Sequence, residues 1–212
     1  MDIMNSFSLL LNGAWITLYI SGFSMVFGLV LGTVIGLMRV SAKKYISVPA
    51  GVYVEFLRGT PLLVQIFLIY FGLPAIGMDI PSNIAAVLAL SINSSAYIAE
   101  IVRSGIQSVD KGQFTASTSL GFSYFQTMIN IILPQAFRNT LPTIGNEFIA
   151  LIKESSLISV IGIAELTRQG QFIISRTFMS FEIYAGVALI YFVMTFSVSR
   201  IFKAVEKRMA IA

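Results

Sequence analysis

No charged side chain occurs between Ile3 and Met38, and a helix needs only about 20 apolar residues to cross a hydrocarbon core of about 30 Å. The run exceeds the apolar segment of about 7–15 residues in a cleavable leader, and no basic cluster precedes it, so this helix is expected to stay in the protein. Lipid is therefore the principal solvent. The rest of the chain agrees, with 56% hydrophobic and 11% charged residues against about 45–50% and about 25% in soluble domains. A surplus of 14 Lys and Arg over 10 Asp and Glu sits at the ends of apolar runs instead of on one polar face, which excludes a nucleic-acid surface. With no Cys and no His, disulfides, zinc–thiolate sites, imidazole ligands and a His base are excluded. Neither catalytic residues nor a metal site are expected.

The apolar runs predict an all-α polytopic membrane protein, one transmembrane domain over residues 1–212, with five spans near 12–38, 48–72, 82–103, 137–161 and 182–202. Basic residues in short loops are retained in the cytoplasm. Arg39, Lys43, Lys44, Arg103, Lys111, Arg138, Arg200, Lys203, Lys207 and Arg208 all fall on one side of this arrangement. The N-terminus is expected outside and the C-terminus in the cytoplasm, with the last basic cluster acting as a stop signal.

Residues 104–134 form a more polar excursion, too long for a simple turn. Leu120, Phe125, Met128, Ile129, Ile132 and Leu133 recur at helical spacing, which predicts two short amphipathic helices broken at Gly121 and closed by Pro134. Periodicity alone leaves two uses open: anchoring the loop on lipid, or docking a partner.

This segment resembles the EAA loop of ATP-binding-cassette importer permeases. Thr115, Ala116 and Ser117 occupy the Glu-Ala-Ala slots, Gly121 the Gly, and Ile131, Leu133 and Pro134 the closing Ile-x-Leu-Pro. Thr115 departs from the usual acidic residue. The runs Glu55 to Leu62, Ala96 to Ile106, Asp110 to Gln113 and Lys153 to Leu157 are similar to the branch that handles histidine, glutamine and arginine. The resemblance implies a bacterial inner-membrane subunit of type I importer fold, paired with a second permease. A homodimer is preferred over a heterodimer. It further implies an ABC ATP-binding subunit that binds ATP and Mg, and an extracytoplasmic amino-acid-binding protein. Thr115, Ala116, Gly121, Leu133 and Pro134 would couple to that ATPase, with Arg138 as a salt-bridge donor. No Gly-x-x-x-x-Gly-Lys-[Ser/Thr] loop occurs in the chain, so it is expected to bind no cofactor and hydrolyse no ATP itself.

Charges inside a membrane cost about 2.5–3.5 kcal/mol on insertion scales and so face a protein interior or a wet cavity. Glu147 and Glu154 lie on one helix face roughly 10 Å apart along the axis, too far for a carboxylate dyad. Lys153 is rotated well away from Glu147, with another helix, another subunit or Glu100 as its expected partner. Gly59-Thr60-Pro61 should interrupt the second span, since proline removes a donor and biases Thr60 out of the helical region. Interrupted membrane helices frequently hold substrate. Glu55 and Arg58 are expected to neutralise one another. These features predict a hydrophilic cavity lined by Leu57, Thr60, Asn93, Ser94 and Glu154, in which carboxylates favour arginine, lysine or histidine. A glutamine permease of the same family stays open. An ion-coupled secondary transporter would have no use for the polar excursion.

Overall fold

In the computed structural model, which describes residues 3–211, the chain is built of helices joined by short turns, with no strand among the described residues. Its elements are α1 (Ile3–Val40), α2 (Lys44–Gly59), α3 (Leu62–Ala75), α4 (Ser82–Gln107), α5 (Lys111–Ser119) and α6 (Tyr124–Thr127). A π-helical turn, Met128–Ile132, leads into α7 (Leu133–Glu154). A 3₁₀ stretch, Ser155–Ile161, then precedes α8 (Leu166–Thr177) and α9 (Ser180–Ile211).

Helix α4 is the centre of the bundle. Ala85, Ala86, Ala89, Ser94, Ser95, Ala96 and Ala99 are all buried along it, and small residues let neighbouring helix backbones approach closely where lipid supplies no hydrophobic drive. Its main partner is α1, whose Gly28, Gly32 and Gly36 recur every fourth residue on the facing side. A Cβ added at Gly32 would lie 2.6 Å from the Ser95 carbonyl oxygen and 2.7 Å from Ile98 Cβ. Gly105 does the same for the crossing with α7, where an added Cβ would meet Thr140 Cγ2 at 2.1 Å. Around this centre pack Ile20, Met25, Ile66, Leu90, Ile98, Leu151 and Ile158. Helix α9 is mostly exposed, with Leu189, Phe192, Val193, Phe196 and Ile201 turned outward, as expected of a lipid-facing span.

Three helical stretches are long and apolar enough to cross a membrane, Ser6–Val40, Ser82–Gln107 and Ser180–Met209, and α2 with α3 adds a fourth if taken as one broken span. By length and apolar content alone, three or four of the five expected spans thus stand out. The run expected near 137–161 is α7 followed by 3₁₀ turns, and Arg138, Glu147, Lys153 and Glu154 make it too polar to qualify by composition. Nothing in the sequence reading anticipated α8. Its apolar stripe, with Leu166, Gly170 and Ile173 buried, packs on α1 and α9.

The second span breaks where Gly59-Thr60-Pro61 predicts, and α3 leaves α2 at 105°. Pro134, by contrast, closes nothing. The helical path continues from Tyr124 to Glu154, because the proline sits in the first turn of α7, where its missing N–H costs least. The wider π turn before it absorbs the change of register.

Candidate functional site

The break between α2 and α3 leaves backbone carbonyls without helical partners, and such groups, when buried, require another donor. Gln65 supplies it. Its Nε2 donates to the Leu57 carbonyl at 2.8 Å, to the Thr60 carbonyl at 3.2 Å and to Thr60 Oγ1 at 2.8 Å. Its Oε1 accepts from Asn93 Nδ2 at 2.9 Å. A buried amide therefore ties the broken helix to α4, and brings Leu57, Thr60 and Asn93 into one polar knot. Sequence reasoning missed Gln65, although a lone amide in Leu62–Phe71 was a visible signal.

The other two expected cavity residues lie elsewhere. Ser94, on a different face of α4, donates to Glu147 Oε1 at 2.8 Å. Glu154 lines a separate shallow cavity of about 340 Å³ with Ala150, Lys153, Ser156 and Leu157.

Toward the end of α4 nearest α5, Glu100 is the hub of the charge network. It pairs with Arg39 of α1 and with Arg103 one turn on, and these are the two ion pairs among the described residues. Glu100 is therefore not Lys153's partner. Nor do Glu55 and Arg58 pair: the Arg58 guanidinium instead lies over the Tyr97 ring, 5.4 Å from its centre. That face of the chain encloses a cavity of about 390 Å³ bounded by α2, α4 and α7.

Beyond α4 the chain forms a helical elbow. Asp110 caps α5 by accepting from Gly112 N–H at 2.6 Å. Gly121, at φ +84°, makes the left-handed turn that L side chains disfavour. Ser123 and Gln126 then start α6 with a reciprocal capping box. The Ser117 and Thr127 hydroxyls meet at 2.9 Å across the elbow, and the Phe114 and Tyr124 rings meet edge to face at 5.7 Å. Thr115, Ala116, Gly121 and Pro134 are exposed, while Leu133 packs beneath against the cluster of Ile106, Val109, Ile132 and Ala136. Leu120 is 79% and Phe125 71% exposed, with Tyr124 beside them.

At the opposite end of the bundle, Glu165 is wholly buried. It caps α8 by accepting from Thr167 N–H at 2.8 Å and Arg168 N–H at 2.7 Å, and takes the Tyr191 hydroxyl of α9 at 2.9 Å. Burial pushes its carboxyl above the ordinary carboxylate range, against the pull of those donors. Glu165→Ala strands these groups, each at a cost of about 1–3 kcal/mol. The unfolding midpoint in detergent is expected to fall by several degrees, and Glu165→Gln, which keeps an acceptor, should lose less.

A family model described as the inner-membrane component of binding-protein-dependent transport systems matches residues 5–211. The chain belongs to that family. The probable amino-acid ABC transporter permease YckA of Bacillus subtilis is 44% identical over 98% of this chain and 92% of its own length. The glutamine transport system permease GlnP of Escherichia coli is 44% identical, covering 96% and 94%. The arginine permease ArtQ of Bacillus subtilis is 41% identical, covering 94% and 92%. A crystal structure of an amino acid ABC transporter with histidines superposes with a TM-score of 0.90 at 47% identity, over 98% of this chain and 99% of that one. An inward-facing methionine transporter, MetNI, shares the fold alone, with a TM-score of 0.81 at 19% identity. This protein is thus a permease subunit of an amino-acid ABC importer, not itself an enzyme, with the fold of type I importer permeases. Family membership implies an inner-membrane location, an ATPase subunit and a substrate-binding protein.

Proposed function

We propose that this permease moves polar, chiefly basic, L-amino acids such as arginine, lysine and histidine into the cytoplasm. The N-terminus faces outward, and two copies of the chain frame the path. The observation that carries the substrate class is the pair of α7 carboxylates, Glu147 and Glu154, which have no ion-pair partner among the described residues. Carboxylates that no salt bridge holds in a translocation path favour a cationic passenger. Leu57, Thr60 and Asn93, bound together at the broken helix, supply neutral polar groups, and Ser94 and Glu154 complete the passage from other faces.

The partner ATPase binds ATP and Mg and grips the elbow, where Thr115, Ala116, Gly121 and Pro134 lie at the surface and Leu133 shapes the turn from below. Closure of the ATPase then moves the spans.

The amide network of Gln65 and Asn93 favours a second reading, glutamine, whose side chain has the same donor and acceptor groups. Uptake into proteoliposomes containing the permease, its ATPase and the loaded binding protein separates the two. Glu154→Gln is expected to lower arginine and lysine uptake by about tenfold, the worth of one charge-assisted hydrogen bond, and to spare glutamine. Equal uptake of basic substrates before and after the change would remove Glu154 from recognition.

A further inference from the structure

Two charges lining the cavity beside Glu100 make no salt bridge among the described residues. Arg58, at the last turn of α2, lies over Tyr97, and the Glu100 carboxylate in the same cavity is already paired with Arg39 and Arg103. Glu147, on α7, holds the Ser94 hydroxyl and no cation. Both line the same space of about 390 Å³, with Tyr97, Ser104, Thr143 and Asn146 as its neutral wall. Three guanidinium groups around one carboxylate leave its Arg58 side positive, and Glu147 leaves the α7 side negative. Uncompensated charges within a membrane protein mark a ligand path, and here both signs face one cavity of ordinary ligand size.

We propose that this cavity is a station for the charged backbone of the transported amino acid, with Arg58 taking the α-carboxylate and Glu147 the α-ammonium group. Arg58 presents planar paired donors to a carboxylate, and Tyr97 beneath it holds the guanidinium flat by cation–π contact. Glu147, with its other contact to Ser94, accepts from the ammonium. The knot at Gln65, Thr60 and Asn93 lies about one to two turns earlier along the same face of α4 as Tyr97 and Glu100, so a passenger leaving it meets the Arg58–Glu147 pair nearer the elbow. A station of this kind reads what all amino acids share and is indifferent to the side chain. It rests on the chain's being an amino-acid permease, and it assigns Glu147 to the backbone, leaving Glu154 alone to carry the basic preference.

The test is binding to the purified permease–ATPase complex, without binding protein, using radiolabelled arginine. The competitors are arginine, agmatine, which lacks the carboxylate, and 5-guanidinopentanoic acid, which lacks the ammonium group. The unmodified complex is expected to discriminate against both analogues by about tenfold or more, since a site built for a polar group rejects a ligand without it. Arg58→Gln should lose discrimination against agmatine alone, Glu147→Gln against the deaminated acid alone, and Arg58→Lys should restore part of the first. A uniform weakening of all three ligands, or discrimination that persists in both variants, overturns the proposal. Loss of basic preference in Glu154→Gln with both discriminations intact would leave this station standing, so the two readings fail separately.

Discussion

Gly32→Leu is expected to abolish accumulation of the folded protein in the membrane. The added Cβ alone would come within 2.6 Å of a backbone oxygen of α4, an atom that cannot swing aside as a flexible side chain could. Overpacking a well-fitted core costs about 1–3 kcal/mol, and here the strain falls on the largest helix interface of the chain. Relief requires α1 to withdraw from α4. That would also part the contacts that Gly28 and Gly36 make with Ser94 and Ala99. Gly22→Leu on the same helix is the control, because an added Cβ there meets nothing within 4 Å. Quantifying both variants in the membrane fraction and following their thermal unfolding in detergent checks the expectation. Equal abundance of the two would show that the α1–α4 seam tolerates separation.

Leu120→Asp and Phe125→Asp should have an opposite signature, a folded permease that no longer transports. Neither side chain is needed by the chain's own core, since the elbow is held by Ser117 with Thr127 and by the capping box at Ser123. Exposed apolar side chains on so ordered an element are suited to a partner's groove, where buried aromatic anchors contribute about 2–4 kcal/mol each. Charging them is expected to reduce co-purification with the ATPase and to cut ATP-dependent uptake by at least about tenfold. The thermal midpoint of the permease itself should barely move. Full uptake in both variants would take the elbow out of the coupling path.

Much of this architecture was legible before any coordinates. The charge-free opening run, the broken second span and the left-handed turn at Gly121 follow from local chemistry: apolar length, a proline after threonine, and a glycine between two amphipathic stretches. The polar excursion likewise marked itself by composition and by its EAA-like spacing. Pro134 was misread because a proline both ends helices and begins them, and the chain on either side decides which. Of the five expected spans, the one at α7 does not stand out by apolar length, because Arg138, Glu147, Lys153 and Glu154 make this packed helix polar. Amphipathic α8 escaped notice because its stripe is short and set among polar residues.

What the sequence determined by itself was the solvent, the helical class and the family, since these depend on local hydropathy and on motifs contiguous in the chain. Only the tertiary structure decided which polar groups meet. It joined Gln65 to Leu57, Thr60 and Asn93, gave Glu100 to Arg39 and not to Lys153, and left Arg58 and Glu147 facing one cavity. Those pairings depend on how glycine seams set the distance and rotation between helices far apart in sequence, and no pattern along a single helix carries that information.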